Sequence, residues 1–84
     1  MVRIKFYTKD GCWLCDAARE TLNGFRERYG IVQEDIDIAS NEELYELYRF
    51  DVPVIEFEDG YTLHSHIKRK ALISKLEEMT KAGE

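Results

Sequence analysis

Two of the 84 residues are cysteines, Cys12 and Cys15, and only Trp13 and Leu14 lie between them. A thiol three residues from a second thiol suits two kinds of chemistry. It can be half of a metal site, or it can exchange electrons with a disulfide through a mixed-disulfide intermediate. A purely structural bridge gains little, because closing so short a loop removes little unfolded-chain entropy. A zinc site wants four ligands. The other candidates are His64 and His66, whose i, i+2 spacing departs from the usual H-x3-5-H.

The flanking residues place the pair at a strand-to-helix junction. Val2, Ile4 and Phe6 alternate with Arg3, Lys5 and Tyr7, which predicts a strand over Val2–Thr8 with one buried face. From Leu14 the period changes, and Leu14, Ala18, Leu22, Phe25 and Tyr29 form a helical stripe that Gly30 ends. Cys12 therefore opens a helix, where unpaired N–H groups and the positive dipole end favour a thiolate and lower its pKa. Lys9 adds positive charge there, while Asp10 and Asp16 oppose it. Cys15 sits one turn deeper. Cys12 is thus the expected nucleophile and Cys15 the expected resolving thiol, and the junction favours redox over metal chemistry.

Further along, Ile31–Ile38 reads as a second strand. Ser40 and Glu43 have capping-box spacing before a short helix whose inner side is Leu44, Leu47 and Tyr48. Pro53 prevents that helix from passing Val52. Taken alone, Pro53 is a strand-initiating residue with a trans bond. Val54–Phe57 and Tyr61–Leu63 form a hairpin about Asp59-Gly60. Ser65 is a candidate N-cap for a last helix with Ile67, Ala71, Leu72, Leu76 and Met79 inward, and residues 81–84 are expected to fray. Tyr7, Tyr45, Tyr48 and Tyr61 read as packing residues. The order is strand, helix, strand, helix, strand, strand, helix. It predicts one α/β domain over residues 1–84, with a four-stranded mixed sheet, three helices on its two faces and a right-handed first crossover.

Composition bounds the rest. A chain of this length builds one core and buries only roughly 60% of its unfolded surface. With 12 basic against 17 acidic residues the net charge is −5, which disfavours nucleic acid as a partner. No apolar run approaches the ~20 residues of a membrane span. Met1–Lys5 runs straight into the alternating pattern without a signal-peptide core, so a cytoplasmic location is expected. Charge is segregated: residues 1–64 hold 7 Lys/Arg and 14 Asp/Glu, a net of −7, and residues 65–84 hold 5 and 3, a net of +2. The excess centres on Lys68-Arg69-Lys70, which is either a solvated face or a site for an anionic substrate.

Thr8-Lys9-Asp10-Gly11-Cys12-Trp13-Leu14-Cys15, followed by Asp51-Val52-Pro53-Val54, resembles a glutaredoxin-like member of the thioredoxin superfamily over nearly the whole chain. The resemblance implies the βαβαββα thioredoxin/glutaredoxin-like fold and a cis Val52–Pro53 bond lying against the cysteines. It also implies that the Val52 backbone hydrogen-bonds an extended peptide or glutathione. Lys9, Trp13, Val52 and Pro53 then form the expected substrate-binding set. The chain departs from typical glutaredoxins at Trp13-Leu14, where Pro-Tyr is usual, and at Asp51, where Thr is common. It also lacks the Gly-Gly and acidic pair that hold the γ-glutamyl end of glutathione, reading His64 to Lys70 there instead. The expected function is a monomeric thiol–disulfide oxidoreductase that needs no bound cofactor. It would act on a disulfide-containing protein or small thiol, with a thiol reductant and only weak affinity for glutathione. The alternatives are a metal or iron–sulfur binder, and a redox-sensing adaptor presenting Trp13.

Overall fold

Alternation sets the first strand. In the computed structural model, which describes residues 1–82, β1 (Val2–Thr8) buries Val2, Ile4 and Phe6 and exposes Arg3 and Lys5. It runs parallel to β2 (Ile31–Asp37), from Val2 opposite Ile31 to Thr8 opposite Asp37. On its other side it is antiparallel to β3 (Val54–Phe57), from Ile4 opposite Phe57 to Tyr7 opposite Val54. β4 (Thr62–His64) pairs back on β3, giving the order β2-β1-β3-β4. This register brings the end of β1, which leads to Cys12, beside the start of β3, which follows Pro53.

One sheet face carries the main core. Helix α1 (Trp13–Tyr29) presents Cys15, Ala18, Leu22, Phe25 and Tyr29 inward. Helix α3 (Arg69–Ala82) adds Leu72 and Leu76 against Ile4, Phe6, Ile55 and Phe57. The stripe of α1 begins at Cys15 rather than the expected Leu14. Both lie within one turn of Ala18, and the sheet lies on the Cys15 side, leaving Leu14 half-buried. The opposite face is covered only at its site end. There Tyr7, Ile38, Val52 and Val54 pack with Leu44 and Tyr48 of α2 (Glu42–Tyr48). Tyr7, on the face of Arg3 and Lys5, packs as expected: it is buried beneath Tyr48, with ring centroids 4.9 Å apart.

Four local expectations are corrected. The N-cap of α2 is Asn41, not Ser40: Asn41 Oδ1 accepts from the N–H groups of Glu43 at 2.8 Å and Leu44 at 3.2 Å. Ser40 ends a 3-10 turn (Ile38–Ser40) and its hydroxyl donates to the Asp37 carbonyl at 2.6 Å. Leu47 is 64% exposed, because so short a helix reaches the sheet only through its i, i+4 pair Leu44 and Tyr48. Ser65 does not cap α3, which starts four residues later. Ser65 is left-handed (φ 61°) and its N–H donates to the carbonyls of Asp51 at 2.8 Å and Pro53 at 2.9 Å. Ala71 is exposed, and Lys75 is inward, only 8% exposed. Its ammonium bonds Asp59 at 2.5 Å and Glu78 at 2.7 Å and lies 4.6 Å from the Tyr61 ring centroid, tying α3 to the hairpin. These carboxylates hold the Lys75 pKa up, and the Lys75 hydrogen bond holds that of Asp59 down. Of the tail expected to fray, Lys81 and Ala82 end α3, and Gly83 and Glu84 lie outside the described residues. Among the described residues no helix is long and apolar enough to cross a membrane.

The two leucine environments give a direct test. Leu76→Ala opens a cavity in the closed core and should lower the unfolding free energy by about 2–5 kcal/mol in urea titrations. Leu47→Ala should change it by less than about 0.5 kcal/mol.

Candidate active site

After Thr8 the chain turns through Gly11, whose φ of +74° lies in the left-handed region open to glycine. That turn delivers Cys12 to the N-cap position of α1 in extended geometry, φ −100° and ψ 100°. Ser, Thr, Asp or Asn usually caps a helix through a side-chain oxygen. Here the acceptor is sulfur: the Cys15 N–H donates to Cys12 Sγ at 3.1 Å. In the reduced protein an N–H at this position, with the helix dipole behind it, would stabilise a thiolate on that sulfur. Cys12 and Cys15 are joined as a disulfide, with Cα atoms 5.2 Å apart.

The two sulfurs are not equivalent. Cys15 is 2% exposed. Cys12 is half-buried and lines an open cavity of about 280 Å³ shared with Lys9, Trp13, Leu14, Arg49, Phe50 and Val52. Of the residues singled out from sequence, Lys9, Trp13 and Val52 meet Cys12 at this cavity. Pro53 lies buried just behind it, and the Val52–Pro53 peptide bond is cis. Cys12 Sγ is 4.0 Å from the Val52 carbonyl oxygen. The Val52 N–H already donates to the Tyr48 carbonyl at 3.1 Å, so of this backbone only the acceptor half faces the cavity. Lys9 Nζ donates to the Arg49 carbonyl at 3.1 Å, which pins the loop after α2 against the cysteine loop.

Arg49 and Phe50 belong to the site and carry no motif. Phe50 is 83% exposed, with the Arg49 guanidinium 4.7 Å from its ring centroid, and Trp13 on the other bank is 75% exposed. Their place just before Asp51-Val52-Pro53 was the available signal. Behind the site, the Tyr7 hydroxyl donates to Glu56 Oε1 at 2.9 Å. Burial, then this bond to a carboxylate, push its pKa up to about 12. Cys12 and Cys15 offer two sulfurs to a metal. Among the described residues no group of three or more His, Cys, Asp or Glu side chains gathers as ligands, so a metal would draw its other ligands from elsewhere.

The model of the glutaredoxin-like domain family matches residues 3–77. The chain belongs to this family. It is similar to a glutaredoxin-like protein of Dictyostelium discoideum, the YDR286C homolog, with 34% identity over 59 residues. The match covers 63% of this chain and 55% of that protein, so the chain spans about half the length of the relative. Protein XcR50 from X. campestris superposes with a TM-score of 0.77 and 27% identity, over 88% of this chain and 95% of that one. Protein Ne2328 from Nitrosomonas europaea gives 0.73 and 25%, over 88% of each. Thioredoxin 1 from Thermosipho africanus TCF52B gives 0.74 over 96% and 97% of the two chains, and its 19% identity speaks to fold alone. A glutaredoxin-like thioredoxin fold carrying a C-x-x-C pair fits a redox role.

Two measurements follow from this geometry. After reduction, Cys12 should alkylate at least about fivefold faster than Cys15 near neutral pH, read by peptide mapping of partly labelled protein. Tyr7 holds its proton more tightly folded than unfolded, so its contribution to stability is full below pH 10.0 and is lost as pH rises toward 12. Tyr7→Phe should therefore flatten the fall in stability over that interval, measured by urea unfolding at stepped pH.

Proposed function

We propose that this protein is a thiol–disulfide oxidoreductase working by dithiol exchange. The observation that carries the reading is the inequality of the two sulfurs: Cys12 caps α1 at an open cavity, and Cys15 is buried behind it. The Cys12 thiolate attacks one sulfur of a substrate disulfide. The S–S bond breaks, the leaving thiolate takes a proton, and a mixed disulfide joins substrate to Cys12. Cys15 then gives up its proton and attacks Cys12 Sγ, releasing the second substrate thiol and closing the Cys12–Cys15 disulfide. Two electrons and two protons have passed to the substrate, and an external thiol reductant restores the pair.

In this reading Trp13 and Phe50 wall the entrance and give a partner apolar contact. Lys9 holds the loops together and adds positive charge. The Val52 carbonyl accepts a hydrogen bond from the substrate, and Pro53 keeps that carbonyl beside the sulfur. The substrate is a disulfide-containing protein or small molecule, and no bound cofactor is required. Glutathione is a candidate reductant of weak affinity, since basic residues stand where the γ-glutamyl amino group would need an acidic partner. The chemistry suits a monomer in a reducing compartment, the cytoplasm.

Turnover of a model disulfide tests this, with glutathione and a thioredoxin-type reductase compared as electron donors. Cys12→Ser should reduce turnover to background. Cys15→Ser should still attack but accumulate a mixed disulfide, visible by mass as one protein joined to one substrate half. A Cys12→Ser protein of full activity would overturn the proposal. A micromolar dissociation constant for glutathione would contradict the expected weak binding.

A further inference from the structure

Trp13 and Leu14 face two cavities. One contains Cys12; the other, of about 370 Å³, runs between α1 and the segment leading into α3. One bank of this second groove is Trp13, Leu14 and Thr21, and the other is His66, Lys68 and Arg69. Among the described residues no Asp or Glu lines it, although the chain as a whole carries −5. Among the described residues neither Lys68 nor Arg69 is in an ion pair. The Arg69 guanidinium is held 4.7 Å from the Phe25 ring centroid, and Lys68 is exposed just before α3 begins. The segment cannot drift from the site, because the Ser65 N–H is bonded to the carbonyls of Asp51 and Pro53 on either side of Val52. The cationic groove is thus continuous with the cysteine cavity around one exposed indole, and its position is fixed by the backbone that frames that cavity.

We propose that this groove seats an acidic stretch of a protein substrate lying next to the cysteine that Cys12 attacks. The proposal rests on the oxidoreductase reading and names its substrate class. Charge complementarity carries it: a groove with cations and no carboxylate attracts an acidic segment short enough to stay within it, while the net negative charge elsewhere repels a longer polyanion such as a nucleic acid. The apolar bank fits a polypeptide, whose side chains can cover Trp13 and Leu14 while its carboxylates reach Lys68 and Arg69.

The test separates binding from chemistry. Trp13 is the only tryptophan, so its fluorescence reports occupation of the groove in the reduced full chain. The probes are a short peptide with Ser at the cysteine position flanked by Glu residues, its Gln analogue, and a single-stranded oligonucleotide of equal charge. The Glu peptide should bind about threefold to tenfold more tightly than the Gln peptide in dilute salt. That preference should vanish in about 1 M salt, where screening acts within about 3 Å. It should also vanish in Lys68→Glu and persist in Lys81→Glu, a charge change at the far end of α3. Equal affinity for the two peptides, a preference untouched by Lys68→Glu, or tighter binding of the oligonucleotide would each overturn the proposal. Disulfide forms of both peptides, given to the unaltered protein, test the oxidoreductase reading separately. Acid-selective binding without reduction of either would sink that reading while supporting the groove.

Discussion

A sulfur atom standing where a helix usually finds an oxygen is the contact on which the rest of this molecule turns. Cys12 Sγ accepts the Cys15 N–H at the start of α1, so one bond both starts the helix and sets the polarity around the sulfur. Capping is worth about 1 kcal/mol in an ordinary helix, small beside the core, yet here it fixes which cysteine faces outward. Had the helix begun a residue earlier, Cys12 would sit within the first turn with its sulfur no longer aimed at that N–H. The left-handed turn at Gly11 and the end of β1 at Thr8 are the conditions for that placement.

Two layers of packing keep the contact where it is. The main core, with Phe6, Leu22, Leu72 and Leu76 fully buried, clamps α1 and α3 to the sheet. The smaller cluster of Tyr7, Ile38, Val52 and Val54 locks the cysteine loop to the proline turn. Because β1 pairs with β3 next to that turn, the motifs meet although some forty residues separate Cys12 from Val52. Polar ties between segments distant in sequence add to this: Lys75 to Asp59, Tyr7 to Glu56, Lys9 to the Arg49 carbonyl, and Ser65 to the carbonyls around Val52.

Much of this was legible in the sequence because period and punctuation are local. The strand at Val2–Thr8, the helix stopped by Gly30, the Asp59-Gly60 hairpin and the element order could all be read from neighbouring residues. What escaped was decided by partners distant in sequence. Leu47 looks inward on α2 until the narrow contact made by Leu44 and Tyr48 excludes it. Ser65 resembles a helix cap, but its bonds to Asp51 and Pro53 accompany a left-handed turn four residues before α3 begins. Lys75 sits in an apolar stripe because Asp59 and Glu78 await it. Arg49 and Phe50 had no periodicity or motif of their own, only their place just before Asp51-Val52-Pro53, and the meeting of two loops brings them to the site.

One commitment of the backbone bears on how long any complex at the site endures. An extended chain docking on a strand edge usually exchanges hydrogen bonds in both directions, giving and taking at the same residue. At Val52 the giving half is spent on Tyr48. A polypeptide substrate of the proposed kind would find an acceptor and no donor there, so its hold at that residue would be one-sided in the hydrogen-bond sense and would not grow into a ladder. In the proposed exchange reaction, residence time would then be left to side chains and to the mixed disulfide itself, and once that bond had been exchanged away little in the main chain would delay departure.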